Sequence, residues 1–477
     1  MEFPNSWIEV QLMELLDALE TGSRPKGGVQ GILEGIPSIG GEHLSSDGGF
    51  KFDNIKYVPL MFAASLNRGK IKEHDILIVK DGATTGKTSF VDTNFPYDHA
   101  FVNEHVFLCR PSKLINSKCL YYFLRSKTGQ DRVMSNFAGA AQGGINTKFS
   151  NNTLVSLPPL PEQQRIVAKL DTLFGQLDRI KASMERIPQL LKDFRQKVLT
   201  QAVTGKLTEE WREGRELEEW EMKTLEEFVI KIQAGKNFNC PEYPVTEDTV
   251  GLVKISAVTW GKFDPNETKT VLDKSKIFPE LFIKKGDFLI TRANTLELVG
   301  ACLIVDEVKY KIMLSDKVWR VTFKDDIDQR FVDVFLKSSL GRAEIESRAT
   351  GNQLSMRNIS QDSFRKIDFN YPSIEEQKEI VRRVESLFAK ADKIEASYQK
   401  LKAKLEQLPQ ALLAKAFRGE LVEQLPTDGD ARELLEQIRK LKEEGTRKGK
   451  GKKLVAEEEV RMVAEDGAKY GKRYFQP

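Results

Sequence analysis

The stretch DGATTGKTSFVD, residues 81–92, holds the residue types of a phosphate-binding loop: a glycine, small residues, and then Gly86-Lys87-Thr88. Such a loop needs four residues between its first glycine and the Gly-Lys-Thr, because that length curls backbone N–H groups around a phosphate before a helix opens. Only Ala83, Thr84 and Thr85 intervene, and the SFVDTNFPYDHAF that follows reads as a strand and a proline-broken turn. The loop is therefore read as a turn, not a nucleotide site. A second constellation, Asp287 with Glu307-Val308-Lys309, offers an acid and an E-x-K able to hold magnesium. Cys109, Cys119, Cys240 and Cys302 form no CxxC pair and no Cys/His cluster, so zinc and a disulfide framework are not supported. His43, His74, His99 and His105 all lie in the first half of the chain, which leaves no shared general base; His43 and His105 are read as surface groups before DNA contacts. The Asn/Asp-Pro-Pro-Tyr/Phe stretch with which adenine methyltransferases hold a flipped base is absent. These residues point to no chemistry in this chain.

The elements that would position any such group are organised by repetition, which governs the fold before anything else. PPLPEQQRIVAKLDTLFGQLDRIKAS from Pro158 aligns without a gap on PSIEEQKEIVRRVESLFAKADKIEAS from Pro372. Glu162-Gln163 stands over Glu376-Gln377, Ile166-Val167 over Ile380-Val381, and Ala202, Gly205 and Leu207 over Ala416, Gly419 and Leu421. Apolar residues recur in alternating steps of four and three from Ile166 to Val198 and again from Ile380 to Leu412, the seam of a coiled coil. Each helix would be roughly 60 Å long at about 1.5 Å per residue. Pro188 and Pro409 lie inside and should kink or split them, since proline removes an i to i−4 bond. In a chain ordered module, helix, module, helix, an antiparallel pair would give a pseudo-two-fold arrangement and act as a ruler between the modules.

The segments ahead of the helices also correspond: Trp7 with Trp220, Gly22 with Gly235, DILIV at Asp75 with DFLIT at Asp287, and YFLRSKTG at Tyr122 with VFLKSSLG at Val334. Short Val/Ile/Phe runs between Gly/Asn/Asp turns predict an α+β fold of two mixed α/β modules. The expected boundaries are a first module at 1–157, a helical region at 158–207, a linker at 208–219, a second module at 220–371, a helical region at 372–421, and a C-terminal helix with a basic tail at 422–477. Set in this repeat, Gly86-Lys87-Thr88 falls on Gly300-Ala301-Cys302, and Glu307 and Lys309 fall on Thr93 and Phe95. Neither the lysine nor the E-x-K has a counterpart. What both copies keep is strand, small-residue loop, strand, with the glycines serving a turn beside something the loop approaches.

Composition agrees with soluble globular modules: 477 residues, 40% hydrophobic and 30% charged. The longest apolar runs are strand-sized and no secretory leader is apparent, so the expected location is the cytoplasm. A net charge of +3 is too small to announce a nucleic-acid partner by itself. The tail RKLKEEGTRKGKGKKLVAEEE reads as a helix running into a mobile basic segment.

The duplicated helix, opening with PPLPEQ and closing with AVTGKLT or AFRGEL, resembles the DNA-specificity subunits of Type I restriction-modification systems over essentially the whole length. The resemblance implies two target-recognition domains that read an asymmetric bipartite site in double-stranded DNA. It also implies two methyltransferase (modification) subunits docked on the helices, with restriction/translocase subunits joining to cut unmodified DNA. No cofactor is expected in this chain; S-adenosylmethionine, ATP and Mg2+ are implied for the partner subunits. Loop residues whose donors and acceptors match base edges are the candidate DNA contacts. They are Lys87, Gln142, Asn146 and Lys148 in the first module, and Arg292, Asn294, Asn352, Gln353 and Arg357 in the second. Gln163 and Gln377 either contact the modification subunits or cap their helices. The alternative is a non-enzymatic coiled-coil interaction protein without DNA sequence specificity.

Overall fold

The computed structural model describes residues 4–139, 143–353 and 356–444. The chain forms two compact units, Met1–Ala182 with Lys402–Pro477, and Ser183–Leu401. The divisions fall inside the helical regions rather than at their edges, so each unit joins one module to parts of both helical regions.

In the first module a four-stranded antiparallel sheet runs in the order Leu16–Thr21, Val106–Pro111, Ile76–Val79, Thr88–Phe90. Every residue of Ile76–Val79 is buried because the sheet is covered on both faces. Side chains alternate along a strand, so Ile76, Ile78, Phe107 and Cys109 join the core shared with helices Ser117–Arg125 and Leu160–Met184. Leu77, Val79, Val106 and Leu108 enter a second cluster with Ile39 and Val102 of a three-stranded sheet, Lys56–Val58, Ile36–Ile39, Phe101–Val102. That two-sided cover is why DILIV is continuously apolar rather than alternating. Strands Ile8–Gln11 and Leu154–Leu157 pair antiparallel and close the module just ahead of its long helix.

The second module repeats this plan. Its four-stranded sheet is Val229–Ala234, Val318–Phe323, Phe288–Thr291, Cys302–Ile304, its small sheet Thr268–Val271, Val250–Val253, Lys311–Met313, and its closing pair Glu221–Thr224 with Asp368–Tyr371. Phe288 and Ile290 face the helix-side core while Leu289 faces the other. Cys109, Cys119 and Cys302 are buried in these cores, and burial pushes each thiol well above its ordinary range.

The helical regions behave differently at their prolines. Leu160–Met184 ends before Ile187–Val203 begins, with Pro188 in the first turn of the second helix, where a missing N–H costs nothing. Ile374–Ala416 runs 43 residues, about 65 Å, with Pro409 inside it, so the second helix is not split. Within each unit the helical segments run antiparallel. In the second, Arg383 donates to the Leu207 carbonyl while Arg195 pairs with Asp392 and Glu395. In the first, Arg165 pairs with Asp428, and Lys181 lines a common cleft with Pro409. The seam is buried at Ile166, Leu170, Val198, Ile380, Val384 and Ala391. Ile180, Phe194, Ile394, Leu401 and Leu408 on the same stripes are exposed.

A helix over residues 431–444 follows. Ala431, Leu434, Leu435 and Ile438 are buried in the first module's core, beside Leu413, Ala416 and Phe417. Arg439 pairs with Glu14, and the Lys442 ammonium donates to the carbonyls of Met13 and Glu14. The expected basic tail lies outside the described residues.

Candidate nucleic-acid interface

Both helical regions open on a buried Glu-Gln pair that fixes the module to the helix. Glu162 accepts from Trp7 Nε1 at 2.8 Å and Gln424 Nε2 at 2.9 Å. Glu376 accepts from Trp220 Nε1 at 2.9 Å, Thr208 Oγ1 at 2.6 Å and Arg212 Nη1 at 3.0 Å. Burial pushes the Glu162 carboxyl up, opposed by the Gln424 and Trp7 hydrogen bonds. The neighbouring glutamines are 1% and 0% exposed. Gln163 Oε1 accepts from the Asn116 N–H and its Nε2 donates to the Pro158 carbonyl; Gln377 makes the same bonds with Asp328 and Pro372. Asn116 and Asp328 are themselves N-caps of helices Ser117–Arg125 and Gln329–Lys337. Gln163 and Gln377, read from sequence as either subunit contacts or helix caps, are thus buried amides with both ends bonded inside the chain.

At one end of each sheet three loops converge. In the first module Val79 and Gly86 close the hairpin loop by Val79 N–H to Lys87 carbonyl at 2.9 Å and Gly86 N–H to Val79 carbonyl at 2.8 Å. Lys80 then donates its N–H to the His105 carbonyl and accepts from the Ile145 N–H. In the second, Thr291 and Gly300 close the loop, and Arg292 makes the matching bonds to Lys317 and Ile359. Bridges of Asp81 and Ala138 to Gly144 correspond to the small sheet Ala293–Asn294, Met356–Asn358, Thr350–Gln353. Gly86 and Gly300 both hold φ near +80°, at 84° and 72°. A Cβ there would meet Met134 Sδ at 2.7 Å or Ile345 Cγ2 at 2.8 Å, so the loop does approach a helix closely, as the repeat predicts. Gln130 donates to the Gly86 carbonyl, and Arg342, its counterpart, donates to the carbonyls of Val299 and Leu296.

Of the candidate contacts, Lys87 stands half-buried at the neck of the first hairpin. Asn146 and Lys148 are exposed beyond Ile145, with Asn146 Oδ1 accepting from the Lys148 N–H. Gln142 lies outside the described residues, as does the side chain of Asn352. Arg292 and Asn294 occupy the second converging set, and Asn294 pairs in register with Arg357. Arg357 Nε is buried with no acceptor among the described residues. Gln353 is exposed and pairs in register with Met356. Lys80 was not singled out by sequence. The signal was present, since the spacing that sets Asp75 over Asp287 also sets Lys80 over Arg292.

Beside these loops each module has a cleft at the same place in its scaffold. The second module's, about 460 Å³, is lined by Asn237, Lys254, Ser256, Trp260, Asn294 and Lys317, among others. The first module's, about 160 Å³, includes Arg24, Glu42, Lys56 and His105. Arg24 pairs with Glu104 and Lys56 with Glu42, and His105 Nδ1 lies 2.6 Å from Asp81. His43, expected at the surface, is buried: its Nδ1 accepts from the Gly40 N–H inside the module.

The magnesium reading of Asp287 does not survive its surroundings. Its carboxylate accepts from Arg320 Nε at 2.8 Å and the Lys284 N–H at 2.7 Å, as Asp75 accepts from Arg110 and Lys72 in the first module. Glu307 is exposed and Lys309 lies over the Tyr310 ring. Among the described residues no group of three His, Cys, Asp or Glu is placed to hold a metal, and no helix is long and apolar enough to cross a membrane.

Comparison with known proteins agrees with this plan. The chain is 30% identical over 432 residues to the Type I restriction enzyme EcoKI specificity subunit of Escherichia coli K12, covering 85% of this chain and 92% of that one. It is 29% identical over 398 residues to the StySPI specificity subunit of Salmonella potsdam, covering 82% and 83%. The fold matches the HsdS subunit of Thermoanaerobacter tengcongensis with a TM-score of 0.58 at 18% identity, over 88% of this chain and 98% of that one. A chain from a study of complex assembly and conformational transition of the type I R-M system matches with a TM-score of 0.61 at 19% identity, over 88% and 100%. The model of the Type I restriction modification DNA specificity domain fits residues 4–189 and again 217–407, and the chain belongs to that family.

Proposed function

We propose that this chain is the DNA-specificity subunit of a Type I restriction-modification complex, each module reading one half of an asymmetric bipartite target. The observation that carries the reading is the pair of converging loop sets. Their backbone hydrogen bonds repeat, while their side chains differ: Lys80 against Arg292, His105 against Lys317, Asp81 against Ala293. A shared scaffold with unlike contact groups is what two different half-sites require, because direct readout depends on donor and acceptor patterns at base edges. Lys87, Gln142, Asn146, Lys148, Arg292, Asn294, Asn352, Gln353 and Arg357 remain the proposed contacts, joined by Lys80.

In this reading two modification subunits dock on the helices, restriction subunits join them, and S-adenosylmethionine, ATP and Mg2+ belong to those partners. Exposed apolar side chains on the helices, Leu190, Phe194, Ile394 and Leu401 in the second unit and Ile180 and Leu408 in the first, support docking there. The chain itself is proposed to be non-catalytic. The purified chain should hydrolyse no ATP, and hydrolysis abolished by Lys87→Ala would overturn that. The deciding experiment exchanges residues 220–371 for the corresponding module of another family member and maps methylation with the modification partner. One half of the target should change; a change in both halves, or no sequence preference at all, refutes the reading.

A further inference from the structure

Trp260 is 74% exposed. It sits at the C-cap of the helical turn Ser256–Thr259, on a backbone fixed by the N–H of Thr259 bonding to the Ile255 carbonyl. An indole left in water at the mouth of a cleft forgoes a large apolar burial. Its cleft is of mixed character: Phe238, Leu252 and Leu298 supply apolar wall and Asp316 an acid. The rest of the lining holds Asn237, Ser256 and Asn294 with Lys254, Lys269 and Lys317; Lys254 and Lys269 pair with Glu242 and Ser256 donates to Glu267, which leaves Asn237, Asn294 and Lys317 facing a ligand. Flat aromatic, amides and the Lys317 cation in one concavity match a nucleotide: a face to stack on, an edge to bond, a phosphate to balance. A phosphate alone has no use for the indole.

The cleft also adjoins the proposed reading loops. Asn294 belongs to the second module's loop set and donates from Nδ2 to Thr259 Oγ1 at 3.2 Å, one residue before Trp260. At the backbone position of Trp260 the first module has Ser46. Its smaller cleft, bordered by the Arg24–Glu104 and Lys56–Glu42 ion pairs, has no Trp, Tyr or Phe among the described residues of its lining. The difference lies in side chains, not in scaffold.

Resting on the DNA-reading function above, we propose that Trp260 stacks on a base of the half-site read by the second module, a base locally unstacked from its neighbours, with Asn294 on that base's edge. The first half-site is read without such a stack.

The test uses the full chain assembled with its modification subunits and duplexes carrying the methylated target or single-base changes in either half. Trp260→Ala should weaken binding to the cognate duplex by about 5- to 100-fold, the range of base–aromatic stacking. It should flatten discrimination against changes in the second half-site and leave the first as it was. Trp260→Phe should restore most of the loss, and Asn294→Ala should relax the same half-site. A 2-aminopurine placed along the second half-site should report unstacking at one position in the wild-type complex and not with Trp260→Ala. Unchanged affinity, equal losses in both halves, or a defect in assembling the modification subunits at unchanged DNA affinity would each overturn the proposal. A wild-type complex with no sequence preference would instead sink the reading on which it rests. Melting temperatures matching wild type establish that this exposed position has not unfolded the module.

Discussion

Glutamine substitutions at the two buried glutamates should behave unequally, and the hydrogen-bond inventory says by how much. Glu162 needs both oxygens as acceptors, one for Trp7 Nε1 and one for Gln424 Nε2. Glutamine offers one acceptor and one NH2, so either orientation sets donor against donor. Turning Gln424 to present its carbonyl would point that oxygen at the Gly419 carbonyl, to which its Nε2 now donates at 2.8 Å. At least one buried donor is left unpaired, at about 1–3 kcal/mol, and a charge-assisted bond becomes a neutral one, for a total of about 2–4 kcal/mol. Glu376 has an escape. A glutamine there keeps its carbonyl on Trp220 and Arg212 and turns its NH2 to Thr208, whose hydroxyl accepts and swings its proton towards the Gly205 carbonyl. No donor is left unpaired, and the cost is that of three bonds, Arg212's ion pair among them, losing the carboxylate charge, about 1–2 kcal/mol. Hydrogen exchange followed by peptide mass spectrometry reads the units separately. Protection around Trp7–Leu16 should fall about 30- to 700-fold in Glu162→Gln, against about 5- to 30-fold around Trp220–Val229 in Glu376→Gln, at about 1.4 kcal/mol per tenfold. Equal losses, or a larger loss for Glu376→Gln, would refute the donor-matching argument.

Ile438→Ala, at a fully buried position, should cost about 2–5 kcal/mol and lower protection in the first unit alone. Gly300→Ala should damage the second half-site's recognition more than Gly86→Ala damages the first, because the added methyl meets branched Ile345 in one case and the flexible end of Met134 in the other; methylation rates on half-site variants rank them. The Arg165 guanidinium holds the Asp428 carboxyl below its usual range. This pair's stabilisation is therefore present above the ordinary carboxylate value and lost as pH falls through the lowered one, so acid should loosen residues 425–444 ahead of the sheet, as exchange at decreasing pH will show. A chain cut after residue 212 should pair with itself and direct methylation to a symmetric site, Thr208 and Arg212 of one copy supplying Glu162 of the other as they now supply Glu376; an inactive monomer on gel filtration counts against it.

The repeat was legible because a coiled-coil stripe and its flanking Pro and Gly residues leave a periodic trace, and the module scaffolds followed from runs such as DILIV. What failed was partner-dependent. Gln163 and Gln377 admit two readings from sequence, a contact with the modification subunits or a helix cap. They are buried because Asn116 and Asp328, 47 and 49 residues earlier, present backbone donors to them. His43 is a different case: its partner, the Gly40 N–H, is local, and the module's packing buries it. Pro188 and Pro409 share a residue type, yet only Pro188 falls where a helix starts. The cleft beside Trp260 left no trace at all, since its lining is drawn from segments separated by up to 80 residues, Asn237 to Lys317.

The packing of residues 431–444 against the first module bears on synthesis. Ser183–Leu401 is a single uninterrupted stretch, and all of its core is available once it has left the ribosome. The first module emerges earlier but lacks Leu413, Ala416, Phe417 and Ile438 until the second unit has been made. At about 5–20 residues per second, the intervening 219 residues from Ser183 to Leu401 take roughly 10–45 s. Throughout that interval the module made first carries an open apolar face, while the module made second can finish. Ribosome-bound chains arrested near residue 401 should therefore show a protease-resistant second unit and a chaperone-accessible first one. A stop codon after Leu401 would take Leu413, Ala416, Phe417 and Ile438 from the module encoded first and leave the one just completed intact.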